Sequence, residues 1–297
     1  MVKVILLGTG TPIPSIERFG PSTLVEAGAE TLLFDCGRGV TQRLWQLQIP
    51  LRNVTTVLLT HLHSDHIVGI PDLWLTGWLS LAFGRRTVPF RVWGPLGTKE
   101  MMAHLEQAYQ ADIRMRTAGR HIPPPGVAIL AEDITAGVVY ANNGVKVTAF
   151  EVDHGAAVKL AFGYRVDYGG RSVVLSGDTR LSDNLIRSST GADVVVHEVA
   201  AAKEELLSTS EVARRILGSH TTPEDAGRVF DRVKPKLAVY THIALLTTDP
   251  AISAPTVQDL IALTRKTYAG PVEVGEDLMT IEVGDTVEVR RFTPPAR

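Results

Sequence analysis

A short apolar run, Thr56-Val57-Leu58-Leu59, passes directly into Thr60-His61-Leu62-His63-Ser64-Asp65-His66, and any fold for this chain must accommodate that junction. The apolar run reads as a buried strand. The strand therefore delivers His61, His63, Asp65 and His66 onto one tight loop, where their donor atoms can converge. Imidazole and carboxylate are borderline-to-hard ligands that suit Zn²⁺, with Mn²⁺ or Fe²⁺ also compatible. No thiolate lies nearby to make the site a structural zinc. A polar loop that collects these residues by coincidence is the alternative, and spacing this specific in a strand-to-loop context argues against it.

Other short apolar runs bounded by Gly, Asp or Thr predict strands at 2–7, 31–34, 90–93, 145–152, 172–175, 194–196 and 237–240. Helix-like apolar spacing predicts helices over 40–47, 98–108, 210–217, 223–233 and 255–267, several of them behind a Thr or Ser cap. This alternation is that of an α/β sandwich of sheets with outer helices. Hydrophobic residues make up 44% of the 297, enough to bury a large core, so residues 1–297 are expected to form one domain. The one long connection, 119–144, reads as a loop crossing between two similar halves. Net charge is -2, which leaves no global positive field to draw in nucleic acid or an anionic membrane. No apolar run approaches a membrane span, and the N-terminus lacks a signal-peptide pattern. A single cysteine, Cys36, rules out an internal disulfide. The cytoplasm is the compartment these features predict.

Five further candidates follow in order, each placed where a strand is expected to end: His154, Asp178, Glu198, His220 and His242. With Leu7-Gly8-Thr9-Gly10-Thr11-Pro12, Phe34-Asp35-Cys36-Gly37 and Tyr240-Thr241-His242, they give a chain that resembles the metallo-β-lactamase superfamily, in its ribonuclease Z-like and arylsulfatase-like branch. The resemblance implies an αββα sandwich, two mixed β-sheets flanked by helices, with a metal site at one edge. It further implies two divalent ions, zinc foremost. His61, His63 and His154 would hold one, Asp65, His66 and His242 the other, with Asp178 bridging. A shared hydroxide would be the nucleophile, which places Asp65 in the catalytic set as well as among the ligands. Glu198 and His220 would form a carboxylate–imidazole pair that protonates the leaving oxygen. Asp35 is expected to hydrogen-bond the metal loop from behind, and His197 to be structural.

A ribonuclease Z carries a protruding arm between the motifs matched here by His154 and Asp178. In this chain the segment 155–177 reads as two strands and a tight turn, with no room for one. The chemistry thus transfers more readily than the macromolecular partner. The expected substrate is a small phosphodiester or a similar sulfate ester, and nucleic acid is not an expected partner. Hydrolysis of a lactone or carboxylic ester, and tRNA 3′ processing, are the alternatives. A homodimer is expected. Trp74 and Trp78 share a helical face and serve either the core or a substrate ring. Cys36 reads as a small buried residue, His104 and His121 as surface positions, and Arg85-Arg86 with 114–120 as a small basic rim.

Overall fold

The computed structural model describes residues 1–80, 82–118 and 124–294; Arg120 and His121 lie outside them. Its first half runs β1 (Val2–Gly8), β2 (Ser22–Ala27), β3 (Glu30–Phe34), α1 (Val40–Gln46), β4 (Thr56–Leu58), α2 (Ser64–Ile67), α3 (Ile70–Trp78), β5 (Phe90–Gly94), α4 (Thr98–Ala108), α5 (Gln110–Ala118) and β6 (Ile129–Asp133). The second half runs β7 (Gly137–Asn142), β8 (Val145–Val152), β9 (Ala161–Tyr168), β10 (Arg171–Leu175), α6 (Asp183–Ser188), β11 (Val194–Ala201), α7 (Glu204–Thr209), α8 (Glu211–Leu217), α9 (Pro223–Val233), β12 (Leu237–Leu245), α10 (Val257–Thr264) and β13 (Val272–Val274). The chain then returns to the first sheet as β14 (Thr280–Val283) and β15 (Val287–Arg290).

Among the described residues these strands form an eight-stranded sheet, β15-β14-β1-β2-β3-β4-β5-β6, and a seven-stranded sheet, β13-β12-β11-β10-β9-β8-β7. Both are mixed in the same way. Strands β1 to β3 pair antiparallel and β3 to β6 parallel; β7 to β10 pair antiparallel and β10 to β13 parallel. The similarity of the two halves is thus visible in strand order.

Strand β1 shows why the runs are continuously apolar. Val4 and Leu6 face the second sheet, whereas Ile5 and Leu7 face α1 and α3, so both faces are buried. Each such side chain contributes about 1.5–3 kcal/mol by leaving water. Helices α6, α9 and α10 cover the outer face of the second sheet, completing the four layers. Trp74 and Trp78 on α3 are fully buried beneath the first sheet, and Trp74 Nε1 donates to the Val127 carbonyl. Their role is core packing. No helix among the described residues is long and apolar enough to cross a membrane.

The structure corrects two expectations. The connection 119–144 is not a plain loop: it contains β6 and β7, one edge strand of each sheet, and the chain crosses between sheets at 134–136. Both strands are half-exposed, so their apolar signal is weak. Secondly, Glu198 and His242 do not lie at strand ends. Strands β11 and β12 run on past them, and the register jumps so that Glu198 pairs with Thr241 but Val199 with Ile243. His242 is the extra residue, with φ 43°, and this bulge turns its ring out of the ladder toward the cluster.

Candidate metal centre and proton donor

The loop after β4 is held from behind by Asp35, which ends β3 in a left-handed conformation, φ 58°. Its carboxylate accepts from Thr60 N at 2.8 Å, Thr60 Oγ1 at 2.8 Å and His66 Nδ1 at 2.8 Å. His61 Nδ1 lies 3.0 Å from the same Thr60 hydroxyl. With their Nδ1 atoms engaged, both rings turn Nε2 into the cluster, as second-shell hydrogen bonds do for ligating histidines. Asp35 thus occupies the place expected of it.

The structure brings all seven candidate ligands together. His63 Nδ1 lies 2.9 Å from His61 Nε2 and 3.3 Å from His154 Nε2. On the other side, Asp65 Oδ2 is 3.3 Å from His242 Nε2 and 3.6 Å from His66 Nε2. One oxygen of Asp178 faces both groups, 3.9 and 3.7 Å from His61 and His154 Nε2 and 3.4 and 3.3 Å from His66 and His242 Nε2. His61, His63 and His154, and likewise Asp65, His66 and His242, each present three donor atoms within 4.8 Å of one another. Three of these pairs, His61–His63, His63–His154 and Asp65–His242, lie at hydrogen-bond distance, whereas His66 Nε2 has no hydrogen-bond partner. Imidazole nitrogens set against one another around a shared carboxylate oxygen, one of them with no hydrogen-bond partner, fit cations that bind such atoms at about 2.0–2.2 Å.

Electrostatics agree for two of the donors. Burial, reinforced by the neighbouring His66, holds His61 well below its usual value. Burial alone would raise Asp178, but His242 and His66 outweigh it and hold the carboxyl well below its range. Neutral imidazole and ionised carboxylate are the ligating forms. Burial also opposes a charge on His66, yet Asp178 and Asp35 raise it well above its usual value. That retained proton is one a cation would displace.

Beside this cluster stands a second arrangement. Glu198 Oε1 accepts from Thr221 N at 2.9 Å and Thr179 N at 3.2 Å, and Thr221 Oγ1 donates to the Thr179 carbonyl at 2.6 Å. The carboxylate cannot swing. Its other oxygen is 3.2 Å from His220 Nδ1, within ion-pair range though off hydrogen-bond alignment, and neither atom has another partner. Burial would lower the His220 pKa, but Glu198 prevails and raises it to about 9. His220 lies on the loop between α8 and α9, not at a strand end, and Thr222 caps α9. Its ring stacks on His242 at 5.5 Å and meets His154 edge-on at 4.9 Å. His197 is buried among β11 neighbours and donates to the Glu198 carbonyl, so it packs as expected.

Two supports were invisible in the sequence. The Ser219 carbonyl accepts from His154 Nδ1 at 2.9 Å, tying the His220 loop to the cluster. Asp277 accepts from Thr9, Phe19 and Arg43, bracing the turn of Gly8-Thr9-Gly10 whose following residues border the site. A backbone acceptor leaves no residue signature, and Asp277 acts from the far end of the chain. His104 is exposed on α4.

Two mixed sheets between helices, with a histidine- and aspartate-rich cluster where the two sheets meet, define a hydrolase of the metallo-β-lactamase fold, and this chain belongs to the β-lactamase superfamily: residues 30–243 match the β-lactamase superfamily domain. Within it, the chain is 36% identical over 286 residues to a ribonuclease Z of Mycobacterium bovis, covering 95% of this chain and 99% of that protein. The short form of human tRNase Z has the same fold, with 21% identity, a TM-score of 0.69 and coverage of 95% and 99%. So has Zn²⁺-bound PqqB from Methylobacterium extorquens, with 16% identity, a TM-score of 0.67 and coverage of 95% and 100%.

Proposed function

We propose that this chain is a metal-dependent phosphodiester hydrolase acting as one domain, in which the cluster and the Glu198–His220 pair divide the work. The observation that carries the proposal is that pair: an imidazolium kept charged by an immobilised carboxylate, 4.9 Å ring to ring from His154. An ester whose leaving oxygen is basic needs such a proton donor. His61, His63 and His154 would hold one divalent cation, Asp65, His66 and His242 a second, and Asp178 would be shared. When bound, such cations, zinc foremost on this donor set, make water acidic enough to attack at neutral pH and offset charge on phosphoryl oxygens. Asp65 helps fix where that attack begins. Glu198 orients His220, and His220 delivers the proton to the departing oxygen.

The substrate class has two readings. The ribonuclease Z relatives favour an RNA phosphodiester. The M. bovis protein is matched almost end to end, so neither chain carries a large segment that the other lacks. The short β9–β10 hairpin, turning at Gly169 and Gly170, therefore does not set this chain apart from that relative. The lining of the cleft favours a small diester, because Lys159 is the one Lys or Arg among its described residues and phosphate chains need several. Nothing among the relatives favours a sulfate ester.

A panel of nitrophenyl diester, alkyl diester, precursor tRNA, aryl sulfate and lactone, assayed with and without added zinc, tests this. Zinc-dependent cleavage of diesters, with RNA or a small diester ranking first, is the expected result. A lactone turned over faster than every diester would replace the proposal with the ester-hydrolase alternative.

A further inference from the structure

The cleft over the cluster has two lobes that share His63. One, of about 400 Å³, lies on the His61 side and contains Leu62, Leu96, Val158 and Lys159. The other, of about 340 Å³, lies on the His242 side and contains His220. Beyond the cluster and His220, its walls carry no charged side chain among the described residues; Pro12, Ile13, Ile216, Leu245 and Leu246 form them. Ile13 is 62% exposed, an apolar surface that the fold itself leaves uncovered at the mouth of this lobe.

We propose that the His220 lobe is the leaving-group pocket, shaped for an uncharged aryl or heterocyclic group, and that the Lys159 lobe takes the substituent retained on phosphorus. This rests on the phosphodiesterase reading. In the hydrolysis a bond forms between water oxygen and phosphorus, and the bond from phosphorus to the leaving oxygen breaks with its electron pair on that oxygen. The oxygen takes the His220 proton and departs as an alcohol, while the proton lost by the attacking water returns through solvent to His220. The departing oxygen must therefore be within reach of His220, which places the group attached to it among Ile13, Ile216 and Leu245. The retained phosphomonoester keeps its charge on the opposite side, where Lys159 stands. Ile216 sits near the end of α8 in a satellite cluster with Leu206, Ala213 and Leu246, and its carbonyl accepts from Ser219, so Ile13, which lies outside that loop, supplies the second wall position at which the pocket can be changed.

Benzyl methyl phosphate separates the lobes, because benzyl alcohol and methanol differ little in acidity and the identity of the released alcohol reports which group faced His220. The zinc-loaded protein should release benzyl alcohol over methanol by roughly tenfold or more, the usual discrimination of an apolar pocket. Ile216→Glu should erase that preference, and the exposed Ile13→Glu, which places little demand on folding, should reduce it. Calorimetric titration with benzyl alcohol supplies a readout independent of turnover: binding to the wild type that Ile216→Glu abolishes supports the pocket. Methanol release, an even ratio, or benzyl alcohol binding unaffected by both variants would overturn it. Failure to cleave any diester alongside benzyl alcohol binding that the variants abolish would instead sink the phosphodiesterase reading and leave the pocket standing.

Discussion

His66 and His220 border the same cleft but are held by different kinds of structure. His66 follows a strand that is buried on both sides, and a carboxylate from the neighbouring strand fixes its ring. His220 stands on a loop behind α8, which packs in a small satellite cluster, and its ring is oriented by a 3.2 Å approach to Glu198 and by contact with the rings of His242 and His154. A ligand that must not move is built into the sheet, whereas a proton donor that must be recharged from solvent is placed at the rim. The contrast predicts that damage to the first region removes cations, and damage to the second removes only proton delivery.

The largest effect should come from Asp178→Ala. Because one oxygen faces four imidazole nitrogens at 3.3–3.9 Å, its loss should empty both positions and abolish turnover. His242→Ala should empty one preferentially. Elemental analysis after zinc reconstitution should give about two zinc per wild-type chain, since seven donors exceed one tetrahedral site. A stoichiometry that stays near one would remove the shared role from Asp178.

Asp35→Ala should be milder, weakening metal affinity by about 10–100-fold, the usual worth of such a support. A competition titration against a chromophoric chelator measures it, and an unchanged affinity would show that the loop holds its rings without Asp35. Glu198→Gln should leave metal content intact and lower the rate on an alkyl diester by less than loss of His220 itself, because the donor survives with a poorer partner. Loss of metal in Glu198→Gln would break the contrast between the two regions.

The same contrast explains what could be read from the sequence. His61, His63, Asp65 and His66 were legible because one strand and one loop bring them together, and sequence proximity there equals spatial proximity. Asp178 follows β10, which is buried on both faces, and His154 follows β8, where buried and exposed residues alternate over its first half, so both placements are readable from the strand pattern. Glu198 and His242 were found as residues but misplaced, because a bulge has no apolar signature and the strands continue through it. The motif around His220 says nothing of the loop that carries it, so the sequence places it at a strand end and the structure between α8 and α9. Strands β6 and β7 read as a connection in the sequence because these edge strands bury too little to show a pattern. The two tryptophans could be assigned to the core only once α3 was seen beneath the first sheet.

The division of labour is tested most directly by the leaving-group dependence of His220→Ala in protein shown to be metal-replete. With a nitrophenyl diester the departing phenolate is already stable, and the substitution should cost little. With an alkyl diester the departing alkoxide is strongly basic, and the cost should be on the order of 10²–10⁴-fold in kcat. The pH profile carries the same information. A pKa raised to about 9 means that the imidazolium is present below that pH and lost above it, so the wild-type rate on the alkyl diester should fall as pH rises through about 9. The variant should lack that fall. An equal loss on both substrates, with the pH dependence unchanged, would contradict the account and leave His220 as a residue that only positions the substrate.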